Sequence, residues 1–207
     1  MEKKIGIVDY GRGNLRSVEK ALQCAGASTV LLPNAKGFAE VDALVLPGVG
    51  SFGDCATSLH ERGHWEPLRE WVRAERPFLG ICLGYQILFE GSEESPDVKG
   101  LGVFPGMVRR FPSDGILKVP HMGWNQLQFA TSSPLFTGLL EDTFAYFVHS
   151  YFPCPREETL VTAWSEYGVR FAAAVGLGRV QAVQFHPEKS QATGLAILQN
   201  FLKTLSI

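Results

Sequence analysis

The chain reads as an α/β protein, a mostly parallel central sheet flanked by helices, with additional antiparallel strands in the C-terminal half. Three observations predict this. Short, continuous apolar runs alternate with helical periodicity over the first ninety residues, as expected of strands buried on both faces of a parallel sheet. From about Met107 strand candidates follow one another closely, the texture of antiparallel pairing. The chain then closes on an apolar stripe at helical spacing, Leu195, Leu198, Phe201, Leu202 and Leu205, which packs most simply on a sheet.

In order along the chain, residues 5–8, 29–32, 43–46 and 78–81 are the four apolar runs and are predicted as parallel strands. Between the first two, Leu15, Val18, Leu22 and Ala25 recur at helical spacing, with Asn14 as N-cap and Gly26 as stop. A second helical tract holds Leu68, Trp71, Val72 and Glu75 and ends before Pro77. Residues 91–97 form the most polar loop. Strands are predicted over 107–111, 124–129, 144–148, 159–164, 171–175 and 180–185, giving a mixed sheet. With no internal repeat, low-complexity tract or linker, one domain over residues 1–207 is expected.

Composition excludes several classes of function. Net charge is −2 from 19 basic and 21 acidic residues, with no Lys/Arg-rich run, so there is no electrostatic footprint for nucleic acid or an anionic membrane. The first apolar stretch, residues 5–8, is too short for a signal-peptide core, and no segment approaches the ~18 apolar residues of a membrane span. A soluble, cytoplasmic protein is expected. Cys24, Cys55, Cys82 and Cys154 are widely spaced without a Cys-x-x-Cys pair, which argues against a zinc knuckle or redox dithiol and for a reducing compartment. His60, His64 and His121 make no metal-ligand pattern. Gly11-Arg12-Gly13-Asn14 lacks the full glycine-rich phosphate fingerprint. No metal and no cofactor are expected.

The chemistry points to Cys82. It sits in Gly80-Ile81-Cys82-Leu83-Gly84 directly after an apolar run, and glycines two residues either side permit a sharp strand-to-helix turn that exposes a nucleophile. Its base and orienting carboxylate come from Gln184-Phe185-His186-Pro187-Glu188. In an extended strand residues two apart share a face, so His186 and Glu188 are expected to point together toward Cys82, with Pro187 confining them to a strand end. His186 would take and return a proton, and Glu188 would orient the imidazole. Oxyanion donors are available in the Leu83 N–H and in Pro47-Gly48-Val49-Gly50, which ends a strand where ligands of open α/β sheets collect. His149, although beside Ser150, reads as structural from its strand context. Trp124, on an alternating strand, reads from the residues alone as core or half-buried.

These segments together resemble the class I, triad-type glutamine amidotransferases, whose fold is flavodoxin-like. The likeness runs through Asp9-Tyr10-Gly11-Arg12-Gly13-Asn14, Pro47-Gly48-Val49-Gly50-Ser51-Phe52-Gly53, Gly80-Ile81-Cys82-Leu83-Gly84-Tyr85-Gln86, Val119-Pro120-His121-Met122-Gly123-Trp124-Asn125 and Tyr146-Phe147-Val148-His149-Ser150-Tyr151, to His186-Pro187-Glu188-Lys189-Ser190. The Pro-Gly-Val-Gly and His-Met-Gly-Trp-Asn segments are similar to the branch that serves imidazole glycerol phosphate synthases in histidine biosynthesis. Arg12 stands where that branch commonly has Met. The resemblance implies a triad of Cys82, His186 and Glu188, an oxyanion hole from the Val49 and Leu83 amides, and glutamine held by Gly48, Gly50, Gln86, Glu94, Ser150 and Tyr151. It also implies a heterodimer with a synthase (cyclase) subunit, a (β/α)8 barrel, contacted through Met122, Gly123, Trp124 and Asn125. L-Glutamine would be hydrolysed to glutamate and ammonia for that partner. Rival readings are an amidotransferase serving a different synthase, a stand-alone Cys hydrolase, and a non-catalytic binding module, the last disfavoured because every triad position is filled.

Overall fold

The structure, a computed structural model, describes residues 3–112 and 117–205. Its centre is an eight-stranded sheet. The four predicted runs form β1 (Lys4–Val8), β2 (Ser28–Leu32), β3 (Ala43–Gly48) and β4 (Phe78–Cys82), which lie parallel in the order β2-β1-β3-β4. Between them come α1 (Leu15–Cys24), α2 (Phe52–Glu61) and α3 (Trp65–Arg73). After β4 the chain makes the one-turn α4 (Leu83–Gln86) and the strands β5 (Gly91–Ser92), β6 (Ser95–Lys99), β7 (Gly106–Arg110), β8 (His121–Gln126), β9 (Gln128–Phe129), β10 (Phe144–His149) and β11 (Tyr151–Pro155). It ends with β12 (Val161–Tyr167), β13 (Val169–Leu177), β14 (Val180–Val183) and α5 (Gln191–Thr204).

β14 returns to lie parallel beside β4, and β13, β12 and β9 follow it antiparallel. The predicted mixed sheet is therefore present, but not all late strands join it. β8 and β10 form their own antiparallel ribbon, and β11, β7, β5 and β6 a separate four-stranded sheet. One hydrophobic cluster, including Phe52, Leu59, Leu68 and Trp71, fills one face of the main sheet; a second, including Val18, Leu22, Ile197 and Phe201, fills the other.

Local differences from the expected elements have local causes. Asn14 does precede α1, but its side chain makes no cap bond; its carbonyl accepts from Ser17 and Val18. Gly26 stops the helix with φ +102, and the Ala27 N–H closes back on the Leu22 carbonyl. Glu75 lies beyond α3 at φ +50, a left-handed residue that breaks the helix two positions before Pro77. The polar segment 91–97 is mostly the β5–β6 hairpin, with β6 largely exposed. β8 begins at His121 rather than at Trp124, β12 starts only after a 3₁₀ turn at Glu158–Leu160, and β14 stops at Val183.

Candidate active site

Three strand ends meet at the carboxyl edge of the main sheet. The register sets Gly48 of β3 against Cys82 of β4, and Val183 of β14 against Ile81, so the next residue, Gln184, falls beside Cys82. Cys82 leaves β4 at φ +55, ψ −106, backbone angles that are costly for a residue with a Cβ and persist where the surroundings enforce them. The glycines let the chain close this tightly. A Cβ on Gly84 would stand 1.8 Å from the Leu46 carbonyl oxygen, and one on Gly80 2.7 Å from the Gly84 carbonyl oxygen. The elbow expected from the sequence is thus built, and Cys82, 7% exposed, lines a cavity of about 330 Å³.

His186 reaches the same cavity, but not along a strand. Pro187 opens a 3₁₀ turn, Pro187–Lys189, with His186 at its N-cap; a fixed φ suits proline to a first helical position. This corrects the strand-face expectation. The turn folds the carboxylate back on the ring, and because an ionised carboxylate only accepts, Nδ1 donates to Glu188 Oε1 at 2.8 Å. Among the described residues Nε2 has no hydrogen-bond partner. Burial pulls the imidazole down, yet the charge of the nearby Cys82, with Glu188 behind the ring, outweighs it and raises His186 to about 10. The turn is held from both sides. His186 N–H donates to the Tyr146 carbonyl at 2.9 Å, and Ser190 Oγ donates to the His186 carbonyl at 2.7 Å while accepting from the Tyr146 N–H at 3.0 Å.

Most of the other expected residues gather around this pair. Val49, Gly50 and Leu83 line the cavity, Gly50 with φ +100. Gln86, Glu94, Ser150 and Tyr151 line it too. Gly48 does not; it lies beneath, where a Cβ would meet Leu83 and the Tyr10 hydroxyl.

The sequence model for "Glutamine amidotransferase class-I" matches residues 6–205. The chain belongs to this family. Among its relatives are the protein named "Imidazole glycerol phosphate synthase subunit HisH" of Syntrophotalea carbinolica, 50% identical over 95% of this chain and 98% of the other. The HisH of Geobacter sulfurreducens is 48% identical over 96% of this chain and 97% of the other. That of Aquifex aeolicus is 47% identical over 94% of each. The chain therefore falls in the HisH branch of the amidotransferases, whose members are named as subunits of a synthase. In fold it is similar to a crystal structure described as glutamine amidotransferase, TM-score 0.77 at 21% identity over 98% and 99% of the two chains. It is equally similar to a chain of PurLQS from Thermotoga maritima, TM-score 0.77 at 19% identity over 98% and 99%.

Within this amidotransferase the other expected residues divide. Glu94 is not on a loose loop: its Oε2 accepts from the Phe52 N–H at 2.7 Å, at the start of α2, where a carboxylate also meets the helix dipole. Asp54, a conceivable substitute for Glu188, pairs instead with Arg12 at 3.3 Å. His149 spends both ring nitrogens, Nδ1 on the Tyr151 carbonyl at 2.9 Å and Nε2 on His121 Nδ1 at 3.1 Å, and burial pushes it to about 3. These contacts and its burial fit the structural role that its strand context predicts. Strand alternation splits the Met122-Gly123-Trp124-Asn125 segment. Met122 and Trp124 face outward at 62% and 46% exposure, whereas the Asn125 amide turns inward to His121 Nε2 at 3.2 Å and the Glu166 carbonyl at 2.8 Å.

Burial raises the Cys55 thiol to about 12 and raises Cys154 as well. Among the described residues no group of three or more His, Cys, Asp or Glu could hold a metal, and no helix is long and apolar enough to cross a membrane. The sequence reading gave no role to Gln184, Lys189, Pro120 and Val148. The last three line the cavity, and Gln184 touches the nucleophile. For Lys189 a signal existed, since it directly follows the His-Pro-Glu triplet.

Proposed function

We propose that this chain is the glutaminase subunit of an imidazole glycerol phosphate synthase in histidine biosynthesis. The observation that carries this reading is the His186–Glu188 pair, at 2.8 Å, beside a cysteine held on a strained elbow, in a chain half identical to HisH relatives over nearly its full length.

The Cys82 thiolate attacks the side-chain carbonyl carbon of L-glutamine, forming a C–S bond and a tetrahedral oxyanion that the Val49 and Leu83 amides receive. Collapse breaks the C–N bond as protonated His186 gives its proton to the departing ammonia. The neutral imidazole then takes a proton from water, the hydroxide attacks the γ-glutamyl thioester, and glutamate and the thiolate are released. Glu188 stabilises the imidazolium at the stages where it exists. Gly50, Gln86, Glu94, Ser150 and Tyr151 hold the substrate, and Gly48 supports the loop from beneath. No cofactor takes part, and the whole chain acts as one amidotransferase domain in the cytoplasm.

Ammonia passes to a (β/α)8 synthase subunit bound as a heterodimer. The β8–β10 ribbon supplies the docking face. Met122, Trp124 and Phe144 stand exposed on it, and Trp124 meets Tyr146 edge-on at 6.1 Å between ring centroids. Val148, on the same ribbon, lines the cavity, so the face adjoins the chemistry. The test is glutamate release from glutamine by the chain alone, with the synthase subunit, and with that subunit plus its nucleotide acceptor. Turnover that rises strongly only in the last mixture is expected. Equal rates in all three would overturn the synthase-subunit reading and leave a stand-alone hydrolase.

A further inference from the structure

Gln184 is fully buried, two residues before His186, and its side chain is committed at both ends. The polarity of those contacts can be assigned from a single group that has no choice. The Tyr151 carbonyl oxygen can only accept, and it lies 2.9 Å from the Gln86 side-chain amide, which must therefore present Nε2. The same Nε2 lies 3.0 Å from Gln184 Oε1. Gln184 then has only its own Nε2 to offer Cys82, and that nitrogen is 3.6 Å from Sγ. A backbone carbonyl thus sets Gln86, Gln86 sets Gln184, and Gln184 aims a donor at the sulfur. With both hydrogens of Gln86 Nε2 spent on these acceptors, the side chain keeps only its Oε1 to offer a substrate.

We propose that Gln184 is a further residue of the reaction, which donates to the Cys82 sulfur whenever it carries charge and fixes the amide of Gln86 in one orientation toward substrate. This deepens the glutaminase reading and rests on it for the second role. The first role concerns the thiolate alone. A hydrogen bond to a charged group in a buried site is stronger than one between neutral groups and holds the charge it touches. Sequence spacing does not announce this role. It appears because parallel register brings the residue after β14 level with the residue that ends β4.

The test compares Gln184→Met, which removes both contacts at similar volume, with Gln184→Glu, which keeps an acceptor for Gln86 but donates to sulfur only while its carboxyl is protonated. Alkylation of Cys82 by iodoacetamide, read by peptide mass spectrometry, is followed from pH 5 to 9 in the full-length chain, alongside kcat and KM for glutamine. The titratable groups around the thiol are His186 with Glu188 behind it, Tyr10, and at the cavity wall Glu94, Lys189 and His149. They are common to all variants. Gln184→Met is expected to slow Cys82 alkylation about 10- to 10²-fold, to raise KM and to lower kcat. In Gln184→Glu the alkylation rate relative to wild type should fall as pH rises, with KM closer to wild type, a signature that loss of packing alone does not give. A folded Gln184→Met with wild-type alkylation, or a Gln184→Glu ratio that is flat with pH, overturns the proposal. If Gln184→Met does not fold, the Gln184→Glu ratio decides. Should wild type release no glutamate while alkylation responds as described, the glutaminase reading fails and the thiolate contact stands.

Discussion

Replacing Gly84 by Ala is the most direct perturbation of the elbow. The added Cβ would begin 1.8 Å from the Leu46 carbonyl oxygen, and real Cβ contacts essentially never come under 3.0 Å. The neighbour is backbone of a central strand with both sides paired, so no flexible side chain can yield. The elbow must therefore part from β3 by more than an ångström, carrying Cys82 and the Leu83 amide with it. Overpacking of this kind costs about 1–3 kcal/mol, which in a chain of this length lowers the melting temperature by about 2–4 °C per kcal/mol. The effect on chemistry should be larger, because a misplacement of ~1 Å at reacting groups costs about 10²-fold in rate. The assay is glutamate release in the assembled synthase, normalised to folded protein by thermal melting. Gly63→Ala serves as control. Its φ of +68 makes Ala costly there, yet nothing lies within 4 Å of the added Cβ, so it should lose stability and keep its rate. A Gly84→Ala protein with wild-type turnover would refute the reasoning.

Three further outcomes follow from the geometry. Because His186 is raised to about 10 from 6.5, its stabilising contribution is complete below about 6.5 and is lost as pH rises through about 10; Glu188→Gln removes part of what raises it, so the alkaline limb of kcat/KM should move to lower pH, and an unmoved limb would take Glu188 out of the triad. Trp124→Ala should weaken assembly or its coupling to glutamate release by 10-fold or more, about the size of an aromatic hot spot, while leaving Cys82 alkylation in the free chain unchanged; native gel or sedimentation measurements of the pair would check it. His149→Gln should leave the pH limbs where they are, since a histidine pushed to about 3 by burial is neutral throughout; a displaced limb would make it a participant.

The four parallel strands were legible because a strand buried on both faces leaves an uninterrupted apolar run, as at Ile5, Ile7 and Val8. α2 is harder to see in the sequence, because its buried residues Phe52, Cys55, Ala56 and Leu59 follow directly on a glycine-rich loop that itself signals a turn. β6 is exposed at the edge of its sheet and so carries no apolar signature, and β11 is disguised by Pro153 and Pro155. Cys82, His186 and Glu188 could be named from their neighbours. Their arrangement could not, since Pro187 turns the chain into a 3₁₀ bend where alternation suggested a strand. Gln184 escaped notice for a different reason. Its contact with the sulfur depends on the register between strands a hundred residues apart in sequence, which no local pattern encodes.

The central claim is that Cys82 alone forms the bond to substrate, and one measurement addresses it directly. The assembled protein is treated with a γ-glutamyl affinity label and digested, and all four cysteine peptides, those of Cys24, Cys55, Cys82 and Cys154, are weighed. One label per chain is expected, on Cys82, with glutamate release lost in step, and protection by L-glutamine. A label on another cysteine accompanied by the same loss, or a fully labelled Cys82 with glutamate release intact, would contradict it.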